Sequence, residues 1–303
     1  MTVIDLWKVI AMKRKKTGFT LVELLTVLAI ITMLIGLLVP SMATVRRFAK
    51  ETKQGAQLTT IGLALTAFRD DYGDYPPSNE YSDSPGITYC GAQKLAEALL
   101  GRDLLGFHPE STWGGTDTDL TLFYNPDTLD ERRGRYLELG TANAFWVGIT
   151  TGVHDGLFVD TSSSGNQLNR DTFVICDVFG VKPVLVGAKT VKAGTPILYY
   201  RANTSSRSFD VGGAWDLQIY NAYNNFHLID LGVLTPDGTP GKPHLLGSGG
   251  GAYFYDETYK VLDPKATAAS GIPWPYRPDS YILISAGMDG EYGTGDDITN
   301  FGD

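Results

Sequence analysis

The sequence predicts an α+β protein: a long amino-terminal α-helix, membrane-spanning in its first half, packed on an antiparallel β-sheet head with an enlarged, loop-rich insertion. Three observations predict it. Residues 19–39 are a predominantly apolar run with a single charge, Glu23. Leu58, Ile61, Leu65, Phe68 and Tyr72 recur at spacings of 3, 4, 3 and 4, the period of one helix face. Beyond a Gly/Pro turn at residues 73–77, short β-prone runs alternate with turn signals, the pattern of an α+β head.

Composition narrows the class. With 303 residues, 43% of them hydrophobic, the chain has ample apolar mass for a core and too much for disorder. Its 35 Gly and 15 Pro make the head loop-rich, but no Gly-X-Y period appears, which excludes collagen. No repeat of fixed period points to a solenoid. A net charge of −9 repels phosphate backbones, so bulk nucleic-acid binding is not expected. Two Cys and four scattered His exclude a thiolate zinc cluster or a disulfide-dense scaffold.

The amino terminus is the most informative segment. Lys8, Lys13, Arg14, Lys15 and Lys16 face only Asp5 before the apolar run begins. As a helix, the 21 residues from Phe19 to Val39 would run roughly 32 Å, enough to cross a hydrocarbon core of about 30 Å. The basic cluster belongs on the cytoplasmic side, since Arg46, Arg47 and Lys50 do not outnumber it. A secretory signal peptide has a shorter apolar region of about 7–15 residues, although Ser41-Met42-Ala43 has the small residues of a cleavage site. A plain anchor leaves Glu23 unexplained, because a carboxylate within a membrane helix is costly and marks function.

The junction Lys15-Lys16-Thr17-Gly18-Phe19, with Glu23 at the fifth residue after Gly18, resembles the amino-terminal signal of type IV pilins and type II secretion pseudopilins. Pro40 also sits where many members of that family carry a proline late in the apolar helix. The resemblance covers residues 13–40 and implies cleavage after Gly18 by a prepilin peptidase, followed by N-methylation of Phe19. The chain is then the substrate of that chemistry, not an enzyme. Met12 heads a complete short leader on its own, so residues 1–11 read as a mis-assigned start or an extension. Cleavage frees an amine at Phe19, and a carboxylate and an ammonium in low dielectric relieve each other's desolvation. Glu23 would serve either its own amine, one turn away, or that of an axially shifted neighbour, where it would set the stagger of a filament.

The amphipathic continuation of the helix extends over residues 41–71, giving a total of about 80 Å from Phe19. Pro40, Gly55 and Gly62 are its weak points, with a kink expected at Pro40. Lys53, Gln57 and Arg69 lie off the apolar stripe, which should pack on the head's sheet. The helix stops at Asp70-Asp71-Tyr72-Gly73-Asp74-Tyr75-Pro76-Pro77, a stretch that resembles the turn after the long helix in major pseudopilins. The head, residues 72–303, should hold a helix at Ala92–Leu100 and another at 217–231, with Ile219, Tyr223 and Phe226 on one side. Strands are expected at Leu120–Tyr124, Ala144–Thr150, Thr172–Asp177, Pro183–Val186, Pro196–Arg201, Ala252–Tyr255 and Tyr281–Ser285.

Cys90 and Cys176 either pair outside the cytoplasm or remain two buried thiols; sequence does not show the geometry. The carboxy-terminal loop, residues 285–300, places Asp289, Glu291, Asp296 and Asp297 on a Gly-rich turn. Such hard oxygen donors suit Ca²⁺, although the spacing is not that of an EF-hand, and a solvated acidic turn is the alternative. The loop resembles the calcium loop of major pseudopilins, which implies Asp289, Asp296 and Asp297 as side-chain ligands, with Glu291 a further candidate. Gly247–Gly251 lacks a P-loop's Lys-Ser/Thr, and His108, His154, His227 and His244 have no zinc spacing. Four tryptophans (Trp113, Trp146, Trp215 and Trp274) fit core or loop anchoring better than a sugar platform. The implied partners are prepilin peptidase, other copies of this chain and related pseudopilins, and an inner-membrane assembly platform. The implied location is the inner membrane, crossed once, with the head in the periplasm.

Overall fold

The computed structural model of the protein describes residues 18–83, 87–114, 117–206, 219–249, 253–261 and 272–301. The basic leader, Trp215 and Ala252 lie outside the described residues. Two compact units divide the chain, Met1–Ala49 and Lys50–Asp303.

In the first unit the helix α1 begins at Leu21 and runs as one element to Tyr72, through Pro40, Gly55 and Gly62. The helix tolerates the proline although Pro40 has no N–H to return to the Gly36 carbonyl. Thr26, Thr32 and Ser41 fold their hydroxyls back onto carbonyls at 2.8–3.0 Å, which lets them sit in an apolar helix without unpaired donors. Every large apolar side chain described from Leu21 to Phe48 is exposed, a surface that requires lipid or other helices to cover it.

From Lys50 onward α1 belongs to the head. Leu58, Ile61, Leu65 and Phe68 are buried and Tyr72 is half-buried, as the spacing predicts. Their neighbours are Leu95 and Leu99 of the helix α2 (Gly91–Leu100) as well as sheet residues Tyr199, Tyr281 and Leu283. Gln57 departs from expectation: it is buried, and its Nε2 donates to the carbonyls of Thr141, Ala142 and Cys176 at 3.1, 3.3 and 3.0 Å. Those carbonyls end their own elements and need a donor, so a long amide on α1 is buried at low cost.

After α1 come the short strands β1 (Tyr81–Asp83) and β2 (Ile87–Tyr89), then α2, α3 (Asp117–Leu122) and α4 (Leu139–Ala142). Next are β3 (Ala144–Trp146), β4 (Ser162–Ser163), β5 (Asn166–Leu168), β6 (Phe173–Ile175), β7 (Lys182–Val186), β8 (Lys189–Ala193) and β9 (Leu198–Arg201). The chain then passes through α5 (Phe226–Asp230), α6 (Leu245–Gly249), β10 (Tyr255–Val261), β11 (Ile272–Pro275), β12 (Tyr281–Ser285) and β13 (Ile298–Thr299). Among the named strands pairing is antiparallel except between β2 and β5, which are parallel. The fully buried β12 lies between β9 and β13, with Tyr281 facing Arg201 and Ile284 facing both Leu198 and Thr299.

Three expectations are corrected. Residues expected as a strand at 120–124 lie partly in α3, whose first turn carries Asp117 and Asp119, acids that suit a helix amino terminus. The helix expected over 217–231 is, within the described residues, a 3₁₀ turn at Ala222–Asn225 followed by α5. Asn225 spends its side chain elsewhere, accepting from the Ala92 N–H at 2.8 Å and donating to the Tyr199 carbonyl at 2.9 Å. The strand expected at 252–255 begins only at Tyr255.

Candidate functional site

Gly18, Phe19 and Thr20 are exposed and non-helical, so the Gly18–Phe19 peptide bond sits outside regular secondary structure immediately before α1. A protease needs such a segment, because a helical peptide bond is locked in its own hydrogen-bond ladder. The helix then starts abruptly. Thr20 occupies the N-cap and Glu23 the third helical position: the Glu23 N–H donates to Thr20 Oγ1 at 3.2 Å, while the Thr20 N–H donates to Glu23 Oε2 at 2.9 Å. The pair is a capping box, and it satisfies two donors that lipid would leave bare. Thr20 Oγ1 also donates to the same Oε2, at 2.8 Å. Among the described residues no donor reaches Glu23 Oε1. A carboxylate held rigidly, with one oxygen uncommitted, is a receptor for a cation. Thr20 escaped the reading of the sequence, although Thr-Leu-Val-Glu ahead of an apolar run is the capping-box signature.

The two cysteines do not pair. Cys90 and Cys176 are both free and fully buried in one apolar cluster. Each packs as a small apolar side chain, Cys90 at the start of α2 and Cys176 just after β6, and burial pushes the Cys90 thiol up to about 12.

The acidic loop after β12 is braced by its own carboxylates. Asp296 accepts from the N–H groups of Met288 and Asp289 at 2.9 and 3.1 Å and from Thr294 Oγ1 at 2.5 Å. Asp289 accepts from the Glu291 N–H at 2.8 Å, and Glu291 pairs with Lys242. Asp297 Oδ2 accepts from the Gly293 N–H at 2.8 Å and from the Tyr253 hydroxyl, whereas its buried Oδ1 has no hydrogen-bond partner among the described residues. Burial, reinforced by the charges of Asp296 and Asp289, lifts the Asp297 carboxyl to about 6. Among the described residues no three His, Cys, Asp or Glu side chains gather as a metal-holding group. The fit to Ca²⁺ is therefore partial: one orphaned carboxylate oxygen beside others already engaged by backbone donors.

Two buried acids organise the head. Glu97 of α2 accepts from Tyr89 at 2.5 Å, Ser111 at 2.5 Å and Tyr124 at 2.7 Å, tying the loops on either side of α3 to the core. Asp177 accepts from the N–H groups of Phe179 and Thr195 at 3.0 and 3.2 Å and faces Ser285 Oγ at 3.4 Å. Its burial raises the carboxyl to about 7. His154 contacts Asp171 Oδ1 at 2.8 Å and stacks on Trp146 at 4.1 Å between ring centroids, which makes it part of a packed turn.

No curated protein and no solved structure matches the chain. A family model, the prokaryotic N-terminal methylation motif, matches residues 13–39. That span contains the exposed Gly18–Phe19 bond, the Thr20–Glu23 cap and the unburied apolar helix. The amino terminus of this protein thus matches the prokaryotic N-terminal methylation motif and leads into a helix long and apolar enough to cross a membrane.

Proposed function

We propose that the protein is a structural subunit, cleaved after Gly18 and N-methylated on Phe19, that assembles into a pseudopilus or pilus-like filament of a type II secretion-like system. The observation that carries this reading is the capped Glu23: a fixed carboxylate whose Oε1 has no donor among the described residues, on a helix whose described apolar side chains are exposed. The methylated ammonium of Phe19 on a neighbouring copy complements that oxygen, and pairing in a low dielectric neutralises both charges. Helices then stack at a fixed axial offset. Before assembly the subunit spans the inner membrane once, basic leader inside and head in the periplasm, and prepilin peptidase and an assembly platform in that membrane act on it. Among filament subunits, the turn after Tyr72 and the acidic loop favour the major-pseudopilin branch.

The carboxy-terminal loop is part of the same proposal. Ca²⁺ takes 6–8 oxygens, carbonyls included, so Asp289, Asp296 and Asp297 need supply only some of them. Among the described residues, no donor reaches the buried Asp297 Oδ1. A second reading, a minor or tip subunit that binds cargo, DNA or glycan, is favoured by an amide-rich cleft of about 290 Å³ lined by Asn79, Asn203, Asn221 and Asn224. It predicts traces of the protein at filament ends rather than along their length.

The experiment that tests the main reading is mass spectrometry of the membrane-extracted protein together with electron microscopy of sheared filaments. The expected mature chain begins at N-methylated Phe19, and Glu23→Ala leaves cleavage intact while abolishing filaments. A mature terminus elsewhere, or filaments indifferent to Glu23→Ala, overturns it.

A further inference from the structure

Lys94 of α2 is only 1% exposed, yet among the described residues its Nζ forms no ion pair. It reaches a single residue instead, Asn79, lying 2.7 Å from the main-chain carbonyl oxygen and 3.5 Å from the side-chain oxygen Oδ1. Asn79 is exposed, and among the described residues its carboxamide has no other hydrogen-bond partner. An unpaired ammonium is costly to bury, and shedding a proton relieves that cost. Burial lowers the Lys94 amine to about 8, although Glu97 and Glu80 pull the other way, so free amine is present near neutral pH.

The backbone under both groups is fixed. Ser78 Oγ accepts from the Arg201 N–H at 2.9 Å and from Asn224 Nδ2 at 2.7 Å, and the Tyr199 hydroxyl donates to the Pro76 carbonyl at 2.7 Å, which pins the turn before Asn79 to β9. Asn225 holds the first turn of α2 through the Ala92 N–H. Holding an amine beside a carbonyl in this way makes their reaction effectively unimolecular. A turn of the exposed Asn79 side chain about χ1, with Nζ still on the main-chain carbonyl, presents Cγ to the amine. Asn79 also lines the cleft of about 290 Å³, which gives a small leaving group a way out. Glu80, next in the chain, has a side chain only 11% exposed; burial raises its carboxyl, although His227 Nδ1 lies 2.9 Å from Oε1.

We propose that Lys94 and Asn79 join in an intramolecular isopeptide bond. The Lys94 lone pair adds to Asn79 Cγ, the bond from Cγ to the amide nitrogen breaks, and that nitrogen leaves as ammonia with the proton that Lys94 gives up. Glu80 carries that proton between the two nitrogens. Nothing is oxidised or reduced, and ammonia is the only by-product. The new amide ties the turn after α1 directly to α2. A pull along α1 then passes into α2 through a covalent bond and bypasses the short strands β1 and β2, which lie between the two residues. The inference goes beyond the filament reading and does not depend on it, since it concerns the head's own covalent structure.

The test is a tryptic map of the full-length protein, denatured and alkylated, read by mass spectrometry. Between Arg69 and Arg102 the only site for trypsin is Lys94. The expected product is one peptide, Asp70–Arg102, lighter than its sequence by one ammonia, because trypsin does not cut after an acylated lysine. Asn79→Ala, at an exposed position, should restore the cut after Lys94 and lower the Tm by about 5–10 °C, the shift expected for reopening a loop of about 15 residues. Glu80→Gln should leave most of the protein unlinked. Separate Asp70–Lys94 and Leu95–Arg102 peptides from the wild-type protein overturn the inference and leave Lys94 as a donor to a carbonyl only. Loss of ammonia with the cut after Lys94 intact marks a succinimide and overturns it as well. Full linkage in Glu80→Gln overturns the role given to Glu80.

Discussion

Thr20 and Glu23 cap one another at the start of α1, both Thr20 donors reaching the same carboxylate oxygen, Oε2, at 2.8 and 2.9 Å. One side chain therefore has two tasks, ending a helix and offering a charge, and substitution can separate them. Glu23→Gln keeps an acceptor for the Thr20 N–H but removes the charge, whereas Thr20→Ala removes the N-cap and keeps the charge. We expect Glu23→Gln to insert, be cleaved and retain wild-type helicity by circular dichroism, yet fail to form filaments. Thr20→Ala should fray the first turn and still assemble. Equal filament yields from wild type and Glu23→Gln would show that the cap alone matters.

Asp177 makes the head's stability depend on pH. Its carboxyl is raised in the fold to about 7 from an ordinary 3.8, so the folded state holds the proton more tightly than the unfolded chain does. The stabilisation is complete below pH 3.8 and is lost as pH rises through about 7. A difference of that size corresponds to at most ~4 kcal/mol. Asp177→Asn keeps an oxygen for the Phe179 and Thr195 N–H groups and carries no charge. Its Tm should exceed that of wild type at pH 8 and converge with it near pH 4. Parallel melting curves across this range would exclude a buried, titrating Asp177.

Glu97 gathers three hydroxyl donors, and glutamine offers only one oxygen to receive them. Glu97→Gln should cost about 1–3 kcal/mol in urea unfolding, because Ser111 or a tyrosine is then left facing an N–H₂ group. The damage should be local, with hydrogen exchange quickening first in residues 106–125. A loss below about 0.5 kcal/mol would mean that water replaces these bonds readily.

The thiols offer a simple check on the core. With Cys90 and Cys176 free and buried, the native protein should resist a thiol reagent, and two equivalents should react in denaturant without reductant. Recovery of the thiols only after reduction would establish the disulfide that the structure lacks.

Calcium tests the carboxy-terminal loop. If Asp297 Oδ1 and its neighbours bind the ion, millimolar Ca²⁺ should raise the Tm of the full-length protein. A ligand present at 100 times its Kd contributes about 2.7 kcal/mol. Asp289→Ala with Asp297→Ala should abolish the rise. An unchanged Tm in Ca²⁺ and in chelator would leave the carboxylates as loop braces only.

Much of this was legible along the chain. The apolar run, Glu23 and the Gly18–Phe19 junction are contiguous, and the stripe from Leu58 to Tyr72 repeats at the helix period, so neighbours in sequence are neighbours in space. Strand β12 was equally plain, because a fully buried strand is a short apolar block. Residues 117–124 misled, since Leu-Thr-Leu-Phe-Tyr alternates like a strand although two acids favour a helix start just ahead of it. Residues 217–231 misled because Asn225 is committed to α2 and β9, partners far away in sequence.

The amino-terminal motif was determined by the sequence alone, because hydropathy, charge and a short residue pattern are local properties that no tertiary contact alters. The tertiary structure decided what buried polar groups do: Gln57 reaches three carbonyls, Glu97 three hydroxyls, and Cys90 and Cys176 remain thiols. Those outcomes depend on which distant donor fills which vacant acceptor when the core closes, and spacing along a chain does not encode that.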